Sequence, residues 1–273
     1  MLGRYQHDRT SDVEFSEVRE PLAALLRDFG PPIAGAPDVV NPFWRLQNDR
    51  GDLWRVRSAD GGRVAETVTP PSIGELARNR AVGNFSPGIR TAFESIPAYL
   101  DAVAGSLLAA HFPPSLHDEI CARVGLEIRG GVPEPPDDPS NPRDPEFRRR
   151  VIRAYEYRCA VTGWDLRLGD SLSGLEAAHI RWHTAGGPCS EPNGLALNAL
   201  HHKLFDLGAF TLSIDERPVV LVSQEAHGGD AVRDLLLRLH GQPIRNPQDA
   251  RFRPDPNFIT WHRREVFRAP ARA

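Results

Sequence analysis

In the first half of the chain, apolar side chains recur mostly at helical spacing. From Ser16 to Phe29, Val18, Leu22, Leu25 and Leu26 share one face, and Gly30-Pro31-Pro32 stops the helix. Two short apolar runs, Phe43–Gln47 and Leu53–Val56, flank Asn48-Asp49-Arg50-Gly51-Asp52 and predict a strand, a turn and a second strand. Ser86-Pro87 opens a helix reaching about Phe93, since serine caps and proline suits the first helical position. A further helix is predicted from about Pro97 to Ala110. His111-Phe112-Pro113-Pro114 breaks it, and Ser115 starts another that ends near Val124.

The segment 130–145, GGVPEPPDDPSNPRDP, has almost no apolar side chains and cannot join a core, so it reads as a semi-rigid linker. Residues 1–129 and 146–273 then form two domains. Past the linker, Asp144-Pro145 makes a helix start, with Phe147, Val151, Ala154 and Tyr155 on one face. A strand is predicted over Leu175–Ile180, a short one over Gly194–Leu197, and a helix from Ala199 to Leu207. Phe210–Ile214 and Val219–Val222 form a hairpin, Gly229–His240 an amphipathic helix, and the chain beyond Gly241 an irregular tail. The fold class is α+β: a mainly helical first domain with a small β-hairpin, then a mixed second domain.

Composition narrows the setting. The chain has 273 residues, 40% hydrophobic and 25% charged, which is ordinary for a globular protein. No apolar run approaches a membrane span, and the charged N-terminus lacks the apolar stretch of a secretory signal. Cys121, Cys159 and Cys189 are odd in number and never form C-x-x-C, so neither a disulfide framework nor a structural zinc site is expected, and a cytoplasmic location is. Net charge is −3, unfavourable at first sight for a nucleic-acid partner. The halves differ, however. Residues 1–140 carry 14 Lys+Arg against 20 Asp+Glu, a balance of −6, and residues 141–273 carry 19 against 16, a balance of +3. A local basic patch matters more than the total.

The candidate chemistry lies in Cys159-Ala-Val-Thr-Gly163, Leu175-Glu-Ala-Ala-His-Ile180, Gly186-Gly-Pro188, Asn193-Gly-Leu-Ala-Leu197 and His202-Lys-Leu-Phe-Asp206. Each piece alone is ordinary: a lone histidine on a strand is usually structural, and Asn-Gly is usually a turn. Their order is not ordinary, with a histidine at a strand end, an asparagine in the following loop and a histidine on the next helix. This arrangement resembles the HNH nucleases, built from a β-hairpin and a helix around one divalent metal. The resemblance implies that His179 is the general base, that Asn193 positions it, and that His202 is a metal ligand. Many relatives have Asp or His directly before the catalytic histidine, where this chain has Ala178. Two residues can replace that ligand. Asp206 shares a helix face with His202 at i+4 and is preferred; Glu176 shares a strand face with position 178 and is second. The expected cofactor is Mg²⁺ or Mn²⁺. His183, His201 and Cys189 are expected to be inessential, and Tyr155 and Tyr157 to pack rather than stack on bases.

The first domain also carries a resemblance. Phe43-Trp-Arg-Leu-Gln-Asn-Asp49 with Leu53-Trp54, Gly83-Asn-Phe-Ser-Pro87, and Ala110-His-Phe-Pro-Pro-Ser-Leu-His117 are similar to the sulfur-binding domain of phosphorothioation-dependent restriction endonucleases. Leu2-Gly3-Arg4 is similar to the end of a helix with which such relatives begin, implying family residues before this start. The partner implied is double-stranded DNA in which sulfur replaces one phosphate oxygen, with no membrane partner. Arg80, Phe112, Pro113, Leu116 and His117 are the nominated DNA contacts, Phe112 and Leu116 being equally readable as helix-packing residues. Two other readings stay open, an HNH nuclease for methylated DNA and a modified-DNA binder whose nuclease has decayed. A homodimer also stays open.

Overall fold

The computed structural model describes residues 1–10, 12–33, 35–49, 51–62, 64, 69–96, 98–133 and 139–273. Arg50 in the predicted turn, Pro97 at a predicted helix start and residues 134–138 of the predicted linker lie outside these. The chain divides into two compact units, Met1–Leu107 with Asp118–Pro133, and Leu108–His117 with Glu134–Ala273.

The first unit runs α1 (Leu2–Asp8), β1 (Val13–Glu14), α2 (Phe15–Phe29), α3 (Val40–Arg45), β2 (Trp54–Arg57), α4 (Ile73–Arg78), β3 (Val82–Phe85) and α5 (Pro87–Ser95). Helices α6 (Tyr99–His111) and α7 (Pro114–Val124) follow, and their connecting tip is counted with the second unit. The small β element is a three-stranded antiparallel sheet in the order β1-β3-β2, not a hairpin. Phe43–Gln47 is helical, which corrects the expected strand. The reason is local: the Asp38 carboxylate accepts from the Val40 and Asn41 amides and starts a helix that Pro42 tolerates in its first turn. Phe43 and Trp44 then bury themselves from a helix, and β2 pairs with β3 instead. Only a glycine can sit at position 83, because a Cβ there would lie 2.2 Å from the Trp54 ring. The Trp54 indole donates to the Phe43 carbonyl at 2.9 Å, so this buried N–H is satisfied.

The second unit contains α8 (Phe147–Ala154), β4 (Arg167–Leu168), β5 (Ser171–Leu172), β6 (Leu175–His179), β7 (Gly194–Asn198), α9 (Ala199–Asp206), β8 (Phe210–Leu212), β9 (Val220–Val222), α10 (Asp230–Leu235) and α11 (Pro256–Glu265). The strands pair as three antiparallel hairpins, β4-β5, β6-β7 and β8-β9. Its core gathers Phe147 and Val151 from α8, Leu175 and Ala178 from β6, Leu195 and Leu197 from β7, and Phe205 from α9. Two expectations change. The helix expected over Gly229–His240 breaks at Leu236, leaving α10 and a short 3₁₀ turn. The tail beyond Gly241 is not irregular: Asp255 caps α11 by accepting from the Asn257 amide, with Pro256 at the first helical position.

Candidate active site

Three elements converge on one pocket. Strand β6 ends at His179, paired with Gly194 of β7. A Cβ on Gly194 would collide with Val151 at 2.4 Å, so glycine is what lets β7 lie against α8. Helix α9 follows β7 directly, capped by the Asn198 side chain on the His201 amide. The pocket, about 380 Å³, is lined among others by Arg143, Glu176, His179, Trp182, His183, His202 and Asp206.

Asn193 is fully buried and satisfied by a loop that folds back on it. Its amide nitrogen donates to the carbonyls of Arg181 and Pro188, at 3.0 and 2.9 Å, and its oxygen accepts from the Arg181 amide at 2.8 Å. One side chain thus staples both ends of the loop that leaves His179. The His179 ring stacks on Phe147, centroids 4.1 Å apart, and its Nε2 lies 3.5 Å from the Cys189 sulfur. Burial, reinforced by His183, pushes its pKa down to about 3, so the ring is neutral at pH 7.

His202 sits between two carboxylates. Its Nδ1 donates to Glu176 at 2.6 Å and its Nε2 faces Asp206 at 3.2 Å. Burial opposes the charged ring, but the hydrogen bonds to Asp206 and Glu176 outweigh it and raise the pKa to about 9. The same bond holds the Glu176 carboxyl below the usual range. Asp206 is buried; the Trp182 indole donates to its Oδ1 at 3.0 Å, and the Ser115 hydroxyl, in the same compact unit, donates to Oδ2.

HNH nucleases generally use a divalent metal. An imidazole with two carboxylates is a donor set that suits one. Among the described residues no three His, Cys, Asp or Glu side chains already converge as a ligand cage. Here they bond to one another, and the His202 protons supply the positive charge between the carboxylates. Once neutral, as a ligating imidazole must be, His202 can share a cation with Asp206 on its Nε2 side or with Glu176 on its Nδ1 side, but not with both where they stand.

Residues 1–129 match the family described as ScoMcrA-like, DNA sulfur-binding domain, and residues 159–213 match the HNH endonuclease family. The chain thus joins a region similar to DNA sulfur-binding domains to a region similar to HNH endonucleases. No curated protein matches the chain. A solved structure titled "Modification dependent TagI restriction endonuclease" is similar at 23% identity and a TM-score of 0.32, over 52% of this chain and 41% of that one. The chain therefore spans less than half of that protein.

The other nominated residues fall out differently. Arg80 is exposed, at a positive φ of 44°, and pairs with Glu14 at 3.0 Å. Phe112 and Pro113 are half-buried in the α6–α7 turn. Leu116 and His117 are buried, and the His117 Nε2 donates to the Phe112 carbonyl, so both hold the turn that carries Phe112 and Pro113. His201 is buried, with Nε2 donating to the Leu235 carbonyl. Tyr155 is buried, whereas Tyr157 is exposed beneath the Arg167 guanidinium. Sequence reasoning missed Trp182 and Arg143 and set Cys189 aside. Only Gly186-Gly187 signalled a loop that folds back: a Cβ on Gly187 would meet the Arg181 carbonyl at 1.8 Å.

Proposed function

We propose that the chain is a restriction endonuclease that recognises phosphorothioate-modified DNA and hydrolyses a phosphodiester bond with His179 as general base and one divalent metal, Mg²⁺ or Mn²⁺. The observation that carries the reading is the convergence of His179, the Asn193-stapled loop and the His202–Asp206–Glu176 cluster on one pocket, in a chain that also carries a sulfur-binding domain.

His179 is neutral and so has a lone pair to take a proton from water. In the tautomer whose Nε2–H points to the Cys189 sulfur, Nδ1 accepts that proton. The water oxygen bonds to phosphorus as the bond to the 3′ oxygen breaks, and the leaving oxygen takes its proton from solvent. Burial makes the protonated ring costly, and the negative phosphodiester beside it offsets that cost. Arg143, exposed at the pocket rim, meets the same phosphate. His202 and Asp206 would hold the cation, with Glu176 the second choice of carboxylate, and the cation when bound would supply positive charge to the scissile phosphate and the leaving oxygen.

The test uses two linear duplexes identical except for one sulfur, each incubated with the protein and Mn²⁺. Cutting confined to the sulfur-containing duplex is expected. Equal cutting of both removes the phosphorothioate reading, and cutting of only a methylated duplex replaces it with the methylated-DNA one.

A further inference from the structure

Trp182 lines the pocket, and neither the family spacing nor the base chemistry assigns it a role. Its indole N–H donates to Asp206 Oδ1 at 3.0 Å, while Asp206 Oδ2 faces His202. The carboxylate is thus held on both oxygens and cannot turn about its own axis. Trp182 is itself fixed from two sides. Its backbone follows Arg181, whose amide and carbonyl are both bound by Asn193, and its carbonyl accepts from the Gly187 amide at 2.9 Å. Its ring packs edge-on against Trp261 of α11, centroids 5.7 Å apart. Helix α11 is anchored below α9, where His262 stacks on Phe205 at 3.7 Å and its Nε2 donates to the Phe205 carbonyl at 3.1 Å. Phe205 is the residue before Asp206.

We infer that Trp182 is a positioning residue that sets the Asp206 carboxylate for cation binding, and that it transmits to this carboxylate the order imposed by Asn193 on the loop and by Trp261 on the C-terminal helix. The inference rests on the proposed role of Asp206 and His202 as cation ligands and goes beyond it. It gives Asn193 a second duty, because the staple that aims His179 also fixes the residue that aims Asp206. It also makes α11, which lies outside the residues matching the HNH family, part of the site. Hydrogen-bonded partners of ligating groups fix ligand orientation, and losing one lowers metal affinity by about 10–100-fold.

The experiment is calorimetric titration of Mn²⁺ into the full chain without DNA, comparing wild type, Trp182→Phe and His202→Ala. Phenylalanine keeps the ring against Trp261 and removes only the N–H. Trp182→Phe is expected to weaken Mn²⁺ binding by about 10-fold or more with its melting temperature near wild type, and His202→Ala to lose measurable binding. Wild-type affinity in Trp182→Phe, with binding lost in His202→Ala, overturns the inference and leaves the ligand reading standing. Wild-type affinity in His202→Ala overturns both. A second measurement needs no variant to fold. In the indole region of the wild-type ¹⁵N spectrum, saturating Mg²⁺ is expected to move the Trp182 N–H, and an indole region unmoved by Mg²⁺ overturns the inference.

Discussion

At the scale of single residues, the site assigns different costs to two neighbours. On the proposed mechanism, His179→Ala removes the general base and little that binds DNA. Cleavage should fall by about 10²–10⁴-fold while affinity for the modified duplex stays near wild type; cutting within tenfold of wild type would falsify the assignment. Asn193→Ala should behave otherwise. It orphans the carbonyls of Arg181 and Pro188 and the amide of Arg181, all held by one buried side chain. A buried polar group left unpaired costs about 1–3 kcal/mol, so this variant should lose thermal stability as well as activity, where His179→Ala loses activity alone. Parallel melting and cleavage measurements on the two variants separate the cases. The difference also explains what could be read from sequence. The grouping of His179, Asn193 and His202 was legible through an order of strand, loop and helix that resembles the HNH nucleases. Trp182 and Cys189 were not, because their contacts with Asp206 and His179 exist only once the loop has folded back onto Asn193.

At the scale of elements, legibility followed the length and purity of the pattern. Helix α2 and the pair β6–β7 stand where periodicity put them. Phe43–Gln47 did not, because a short run of large apolar residues fits either state and the deciding signal was the upstream cap Asp38. Strand β3 was missed because Gly83 and Asn84 dilute its pattern, although Gly83 is what admits Trp54. Helix α11 was missed because prolines hid a good start at Asp255-Pro256. That helix carries a prediction of its own. His262 is completely buried, donating through Nε2 to the Phe205 carbonyl and accepting through Nδ1 from the Thr211 hydroxyl. Burial holds its pKa down to about 4, below the unfolded value of 6.5. Between those values the unfolded chain binds the proton that the fold refuses. Stability from this group is therefore complete above pH 6.5, declines as pH falls toward 4, and is flat below. The full difference is about 3 kcal/mol. His262→Gln, which keeps a donor and an acceptor but does not titrate, should flatten this part of the profile in urea melts at pH 7 and pH 4.5. An unchanged slope in the variant would assign the acid sensitivity elsewhere.

At the scale of the whole molecule, two separate cores match the two tasks proposed. One core runs from Tyr5 to Leu126 and the other from Phe147 to Ile259, with no member in common. Recognition and cutting should therefore come apart in the intact chain. The informative protein is full-length His179→Ala, which cannot consume its substrate. It should bind a duplex with one phosphorothioate link more tightly than the same sequence with ordinary phosphate. Both duplexes carry the same backbone charge, so the release of counterions is nearly equal and cancels in the comparison. What remains is local contact at one atom. Burying a soft sulfur surface of roughly 30–40 Å² is worth about 1 kcal/mol, or about a fivefold preference. A larger preference requires the same pocket to penalise the ordinary phosphate oxygen, which stays better hydrated. Two substitutions distinguish contact from charge. Arg80→Ala, at an exposed guanidinium, should weaken binding to both duplexes and shallow the salt dependence equally. Phe112→Ala, at a half-buried ring, should erase much of the preference and leave the salt dependence as it was. Equal affinity of full-length His179→Ala for the two duplexes at one salt concentration would remove sulfur as the feature recognised, and a preference for a methylated duplex in the same assay would put methylation in its place.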